Sequence, residues 1–493
     1  MHKNATQSVG DAATAGLARL GTLVAARMGL HFPKNRQRDL LRGAQALARE
    51  HGCEDVEAFL QSLVNAPLTD RQIEVLTAHL TVGETYFFRE TKSLEAFRSH
   101  VVPALVRERA GGDQRIRLWS AGCSTGEEAY SLAMILDEAV PDHEAWAVDI
   151  LATDINPRSL EQARRGVYTE WSFRGLPAPL RERYFEPRGE QTFEVRPRFR
   201  DRVSFACLNL ATDVYPSLQN NTNAMDVIFC RNVLMYFVPE RIQKVILSFR
   251  HCLVAGGWLV VAPSETSLLP ALGFEAVTFE GATLFRKDDR KPAEVPPAAA
   301  AAGALRAEQG PSPVVFSGKR LTELYGEALA AYGAGRYAAA AAALQALVGA
   351  EGAPVRGVKA GKAMALMARI EANQGKLAPA FEWAGKAIAA DKVNPGYYYL
   401  LATILEEQHR SAEAVQALKR ALYLDPEFVL AHYTLGMIAL RGSGFEEADR
   451  HFRNAAASLA HLPESGGLPE SEGLTVGRLA EIIHAMRERG LSS

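Results

Sequence analysis

The stretch IRLWSAGCSTGEEAYS, Ile116–Ser131, decides the fold. Ile116 to Gly122 is an apolar run ending in glycine, which reads as a buried strand entering a tight turn. Glu127 to Ala139 carries a helical pattern and opens with two acids, where the helix dipole favours them. Working outward, strands and helices keep alternating. Ala147 to Thr153 is a second strand, and Asn156-Pro157 is an N-cap followed by proline at the first helical position. Asp226 to Cys230 reads as another strand, Pro239 to Leu253 as a helix, and Gly256-Gly257 as a turn into Trp258–Ala262. Phe274 to Phe279 and Thr283 to Lys287 read as an antiparallel pair closing the sheet. This alternation predicts the α/β class with a doubly wound, Rossmann-like sheet. Tyr184 to Leu208 interrupts it as a hairpin or small β subdomain.

Both flanks are helical. In front, Val56, Phe59, Leu60 and Leu63 share one helix face, and Ile73, Leu76 and Leu80 share another. Thr69 with Gln72 is a capping-box signal, and Gly83 is the expected stop. Behind, Pro292, Pro296, Pro297 and an alanine run mark a linker that could form no core. Beyond it Tyr399 matches Tyr433, Ala402 matches Gly436, Ala414 matches Ala448, Leu418 matches Phe452 and Ala421 matches Ala455, each 34 residues apart. That is the tetratricopeptide period, and small residues at fixed positions are what close helix pairing demands. Ala368, Ala380 and Ala387 continue the register one period earlier. A further unit around Ala328, Gly335, Tyr337 and Ala340 fits if the chain carries an insertion near Val348 to Val358. The expected layout is a helical domain over 1–90, an α/β domain over 91–287 with its β subdomain near 184–208, a linker over 288–318, an all-α solenoid of tetratricopeptide repeats over 319–460, and a tail or helix over 461–493.

A net charge of −2 supplies no global basic field for nucleic acid. The five cysteines are scattered without a CxxC pair, which argues for a reducing cytoplasm and against a disulfide scaffold or metal site. MHKNATQSVGDAAT carries no signal-peptide core, and no run approaches the roughly 20 apolar residues of a membrane helix. A cytoplasmic protein without membrane insertion is expected.

The turn Ser120–Ser131 departs from GxGxxG and lacks GK[ST], so it is no phosphate loop. Its glycines permit close approach of backbone to a ligand. Glu127 and Glu128 suit a cationic ligand group such as an ammonium; simple helix capping is the alternative. Asp154, at the tip of the second strand, stands where an acid accepts hydrogen bonds from ribose hydroxyls. Two more segments complete the set: GETYFFRE, Gly83–Glu90, and FCRNVLMYF, Phe229–Phe237.

Together with SAGCSTGEEAYS and ATDIN, these motifs resemble the CheR family, the chemotaxis-receptor glutamate methyltransferases, over about Leu20 to Lys287. The resemblance implies S-adenosylmethionine as cofactor and a chemoreceptor whose glutamates become methyl esters. It implies that Thr85 and Arg89 border the cofactor and the methyl-transfer pocket, and that Glu128, with Glu127, and Asp154 bind the cofactor. Asn209 and Leu210 would line the adenine side, Arg231 and Asn232 would enter from the central strand, and Tyr236 would follow one turn later. Arg89 and Tyr236 are the pair expected to hold the substrate carboxylate; Phe87, Phe88 and Phe237 are expected in the core. Where the family usually has Asn this chain has Gly83, so a side-chain contact is lost there. Lys34, Arg36, Arg38 and Arg42 form either a solvated face or the one that meets acidic receptor helices. The connection Pro187 to Gln191 is shorter and poorer in glycine than in relatives that grip a receptor's tail, so no such tether is expected, and the repeats would engage a protein or peptide partner instead. Two other readings stay open: an interaction scaffold whose methyltransferase fold no longer turns over, and a methyltransferase for small molecules or nucleic acid.

Overall fold

A computed structural model describes residues 16–33, 36–62, 68–81, 83–111, 114–141, 145–267, 269–288, 318–348, 358–442, 444–471 and 473–490. Leu63, Lys34 and most of the linker fall outside them. The chain divides into two units, one of 1–213 with 225–294, the other of 295–493 with 214–224.

The first unit opens with helices α1 (16–28), α2 (Gln37–Glu50), α3 (Val56–Ser62) and α4 (Asp70–Leu80). In α2, Leu40, Gly43, Ala44 and Leu47 are buried at the i, i+3, i+4, i+7 spacing of one helix face. At the start of α4, Thr69 Oγ1 accepts from Gln72 N and Thr69 N donates to Gln72 Oε1, completing the capping box. This helix stops at Leu80, short of Gly83: Thr81 turns extended, and its N–H and hydroxyl both donate to Thr77 O.

Next come α5 (Thr91–Ala96), a π-helical turn (Phe97–Val101), α6 (Val102–Arg109), β1 (Arg115–Ala121), α7 (Glu127–Ala139), β2 (Ala147–Asp154), α8 (Pro157–Arg165), β3 (Val167–Thr169) and α9 (Ala178–Tyr184). They are followed by β4 (Phe185–Pro187), β5 (Thr192–Val195), α10 (Pro197–Arg200), β6 (Val203–Cys207), β7 (Met225–Cys230), α11 (Pro239–Cys252), β8 (Leu253–Val261), β9 (Phe274–Phe279) and β10 (Ala282–Lys287). Seven strands make one sheet in the order β6-β2-β1-β7-β8-β10-β9, parallel through β8 and antiparallel at the β10-β9 end. All seven residues of β1 are buried, as a central strand covered on both faces requires. Chain order reverses at β1, since β2 lies on one side and β7 on the other. The crevice beyond the carboxyl ends of β1 and β7 is therefore the switch point where such sheets bind ligands.

Two sequence expectations shift. The β subdomain is a three-stranded sheet in the order β3-β5-β4 that begins at Val167, and Val203–Cys207 belongs instead to the main sheet beside β2. Strands of three residues carry no readable period, and β6 could not announce its partner. The Gly256-Gly257 pair is not a turn before a strand but an irregularity inside β8. Met225 pairs with Leu253 and Val227 with Trp258, so the extra residues of β8 bulge out where Gly256 has φ +69°.

The second unit is a helical array: α12 (Gly318–Gly333), α13 (Tyr337–Val348), α14 (Val358–Asn373), α15 (Leu377–Ala390), α16 (Pro395–Glu407), α17 (Ser411–Leu424), α18 (Val429–Arg441), α19 (Phe445–Leu459) and α20 (Val476–Gly490). Neighbours pack as pairs, α12 with α13 through α18 with α19, each pair against the next and α20 on α19. From α15 onward the second helix of each pair starts 34 residues after the last, at Leu377, Ser411 and Phe445. These are tetratricopeptide repeats. Alanines 380, 387, 414, 421, 448 and 455 are fully buried at the pair interfaces. Gly436, where the preceding repeat has Ala402, faces Phe452: a Cβ there would lie 2.5 Å from Phe452 Cε1. The larger Phe452, in the place of Leu418, fills the volume that the missing methyl leaves. This unit also contains 214–224, whose Leu218 is buried with Ala365, Ala368 and Tyr397, so the span 91–287 is not one compact body. No described helix is long and apolar enough to cross a membrane.

Candidate active site

The turn after β1 is built by glycine. Gly122 has φ +85°, and a Cβ on it would sit 2.4 Å from Val233 Cγ2 in the loop after β7. Its N–H and that of Cys123 donate to Thr153 O on β2. Loops from β1, β2 and β7 are thus drawn together. At the tip of β2, Asp154 accepts Ser124 N on Oδ2 at 2.9 Å and Asn156 N on Oδ1 at 2.8 Å. Burial raises the Asp154 pKa, and these amides pull it back. Asn156 in turn caps α8, accepting from Arg158 N and Ser159 N.

A cavity opens at this point, about 1150 Å³ including its mouth. Gly122, Ser124, Glu128 and Asp154 line one part; Leu208, Asn209 and Leu210 another; Arg231, Asn232 and Tyr236 a third; Gly83, Thr85 and Arg89 a fourth. Of the residues expected at the site, Glu127 alone does not line it. Successive helix side chains diverge by about 100°, so Glu127 points back into the fold. There its carboxylate accepts from Thr125 Oγ1 at 2.6 Å and Ser172 Oγ at 3.0 Å. Glu128 takes a hydrogen bond from Ser120 Oγ at 2.7 Å and lies 3.4 Å from Arg231 Nη1. Burial raises its pKa too, and Arg231 opposes that rise.

Arg231 is committed internally. Its side chain is 3% exposed and reaches Glu90 and Glu128 at 3.5 and 3.4 Å, and it donates to Arg89 O. That bond pins a turn in which Phe88 and Glu90 both hold positive φ, a conformation side chains rarely adopt. Arg89 Nη1 donates to Glu84 O at 2.6 Å. Asn209 Nδ2 donates to Arg27 O, and its Oδ1 accepts Ala211 N, so this residue shapes the wall by bracing two backbone segments. Phe87 is core, edge-on to Tyr168 and stacked on Phe173, and Phe237 is buried too while also lining the cavity.

Sequence reasoning missed the contribution of the N-terminal segment. His31 N donates to Tyr236 O at 2.7 Å, and Leu30 bridges Phe237. Phe32 and Arg36 reach the cavity, the Arg36 guanidinium lying 4.9 Å from the Phe32 ring centre and 5.1 Å from that of Tyr236. Its spacing from Arg38 and Arg42 advertised only a charged face.

These residues suit a sulfonium nucleoside carrying an amino-acid tail. Asp154 retains lone pairs for ribose hydroxyls, Glu128 offers negative charge to an ammonium, and Leu208, Leu210 and Ile155 give a base an apolar wall. Ser124 Oγ is buried there without a partner, an oxygen waiting for a ligand. Fold and site together define an S-adenosylmethionine-dependent methyltransferase.

Comparison with known proteins gives the family. The CheR methyltransferase SAM-binding domain matches residues 83–272. Chemotaxis protein methyltransferase 1 of Pseudomonas aeruginosa is 38% identical over 196 residues, 39% of this chain and 69% of the relative. Chemotaxis protein methyltransferase Cher2 of Pseudomonas putida is 32% identical over 241 residues, 48% of this chain and 85% of the relative. This chain belongs to the CheR methyltransferase family. Among solved structures, MamA of Desulfovibrio magneticus RS-1 is similar at 20% identity, covering 28% of this chain and 75% of its own, with a TM-score of 0.25. Overlap that slight adds nothing to the repeat geometry above.

Proposed function

We propose that this chain, acting in the cytoplasm, transfers methyl groups from S-adenosylmethionine to glutamate side chains of a chemoreceptor-like protein, forming glutamyl methyl esters. One observation carries the reading: a single cavity joins Asp154 and Glu128 on its cofactor side to Arg89, Tyr236 and Arg36 on the other. The names of the relatives support the chemotaxis setting.

When bound, the cofactor supplies a methyl group already electrophilic on sulfur. A glutamate with a pKa of about 4.3 is already ionised at neutral pH, so no general base is needed. What the chain must add is alignment and removal of water, which lowers such barriers by roughly 7–11 kcal/mol when the geometry is right. Arg89, anchored by one N–H on Glu84 O, keeps donors for one oxygen of the incoming carboxylate. A full two-pronged grip would quench the nucleophile, so the Tyr236 hydroxyl shares the task. Arg36, stacked on Tyr236, draws the acid to the mouth. The residue-by-residue cofactor roles expected of Thr85, Glu128, Asp154, Asn209, Leu210, Arg231 and Asn232 belong to the same proposal. The helical array takes a protein or peptide partner that brings receptor and enzyme together.

The test is transfer of tritiated methyl from labelled cofactor to receptor, followed by base. Label released as methanol is expected. Base-stable label would mean N-methylation, and cofactor binding without transfer would favour the scaffold reading, for which Gly83 is the sole argument.

A further inference from the structure

We propose that Glu265, which lies outside the cavity, is a positioning residue that holds the loop after β7 in the shape methyl transfer needs. The inference rests on the methyltransferase reading above and extends it to a residue in the turn after β8. Glu265 closes the short helical turn Pro263–Glu265 and is 8% exposed. Its Oε2 accepts Asn232 N at 2.9 Å and Ala262 N at 3.1 Å, and its Oε1 accepts Met235 N at 3.1 Å. One buried carboxylate thus ties together backbone from the ends of two adjacent strands, β7 and β8.

The loop needs such a hold. Asn232 has φ +59°, a left-handed conformation that asparagine tolerates better than most side chains but that the chain must still be held in. The carboxylate gives the Asn232 N–H and that of Met235 one shared, charged acceptor, which fixes the two ends of the turn relative to one another. The residues flanking those two amides, Arg231 and Tyr236, both line the cavity. The hydrogen bonds described for Glu265 go to the loop after β7 and to Ala262, not to Asp154. Loss of Glu265 should therefore loosen the segment from Arg231 to Tyr236, which serves both sides of the cavity, while the Asp154 contacts stay in place. Hydrogen bonds to a charged acceptor are worth about 1.5–3 kcal/mol, which corresponds to roughly a tenfold to hundredfold change in rate.

The test is Glu265→Gln in the full chain, which keeps the shape but turns an NH₂ towards at least one of the three backbone donors. Glu265→Asp, which retracts the carboxylate by one carbon, gives a milder second variant should the first not fold. Backbone hydrogen exchange of 232–236 is expected to rise about tenfold or more while that of β1 stays unchanged. Receptor methylation kcat is expected to fall about tenfold to a hundredfold, with affinity for S-adenosylhomocysteine falling clearly less than turnover because the Asp154 wall keeps its contacts. Unchanged exchange, turnover within twofold, or affinity and turnover falling in proportion would each overturn the proposal. If the parent chain methylates no receptor, the substrate reading falls, and the exchange of 232–236 alone decides whether Glu265 holds the loop.

Discussion

Replacing Gly122 with alanine should cost the first unit about 2–5 kcal/mol, from two separable sources. At φ +85° an L-residue pays about 1–2 kcal/mol in backbone strain. The new methyl would also stand 2.4 Å from Val233 Cγ2 and 3.4 Å from Cγ1, an overpacking cost of about 1–3 kcal/mol. Val233→Ala removes both of those γ carbons. Alone it destabilises, by about 0.8 kcal/mol for each buried methyl-sized group lost. Combined with Gly122→Ala it should relieve the steric part and leave the backbone part. Urea denaturation of the four proteins, read as a double-mutant cycle, is expected to give a favourable coupling of about 1–3 kcal/mol. Calorimetry with S-adenosylhomocysteine should show affinity falling in Gly122→Ala and partly returning in the double variant. Coupling of zero within about 0.5 kcal/mol would refute the claim that the first turn and the loop after β7 are packed against one another.

Arg89→Ala is expected to lower receptor methylation by about thirtyfold or more while leaving S-adenosylhomocysteine affinity within about threefold; equal losses in assay and calorimetry would make Arg89 a cofactor residue. At Gly83, a Cβ would make ordinary 3.5 Å contact with Ser124 Oγ, which is buried and without a partner. Gly83→Asn should therefore tighten cofactor binding by roughly two- to tenfold in calorimetry, and weaker binding would count against an open position there. In the helical array His432 and His451 meet through their Nδ1 atoms at 3.0 Å, and His432 Nε2 donates to Pro426 O. Burial lowers both pKa values below 6.5, so the folded state favours the neutral pair. The stability this confers is in place above about pH 6.5 and lost as pH falls through the lowered folded values. Melting temperatures from pH 8 to 5 should show an acid-side loss that shrinks in His451→Gln, and an identical profile in that variant would refute the assignment.

What the sequence disclosed was local. The Gly-containing turn, the Asn156 cap and the Thr69 capping box each lie within a few residues of chain, and the 34-residue register shows as a fixed period, where propensity and period operate. What stayed hidden depends on distant partners. The subdomain strands β3 and β4 are too short to show alternation, and β6 could not reveal that β2 awaited it. Nothing in 214–224 marks it for the helical unit. At the site, the motifs supplied the lining residues but not their commitments. Arg231 bridges Glu90 and Glu128, and Glu127 turns towards Ser172, both across gaps of more than 40 residues. Arg36 reaches Tyr236 from 200 positions away. Only the tertiary fold could supply such pairings.

The central claim is that the loops after β1, β2 and β7 form one pocket for a sulfonium nucleoside. A crystal structure of the full chain with S-adenosylhomocysteine tests it most directly. The ribose hydroxyls are expected on the Asp154 carboxylate, the amino group on the Glu128 side, and the sulfur facing Arg89 and Tyr236. A ligand bound elsewhere, or one whose sulfur faces away from both, would contradict it.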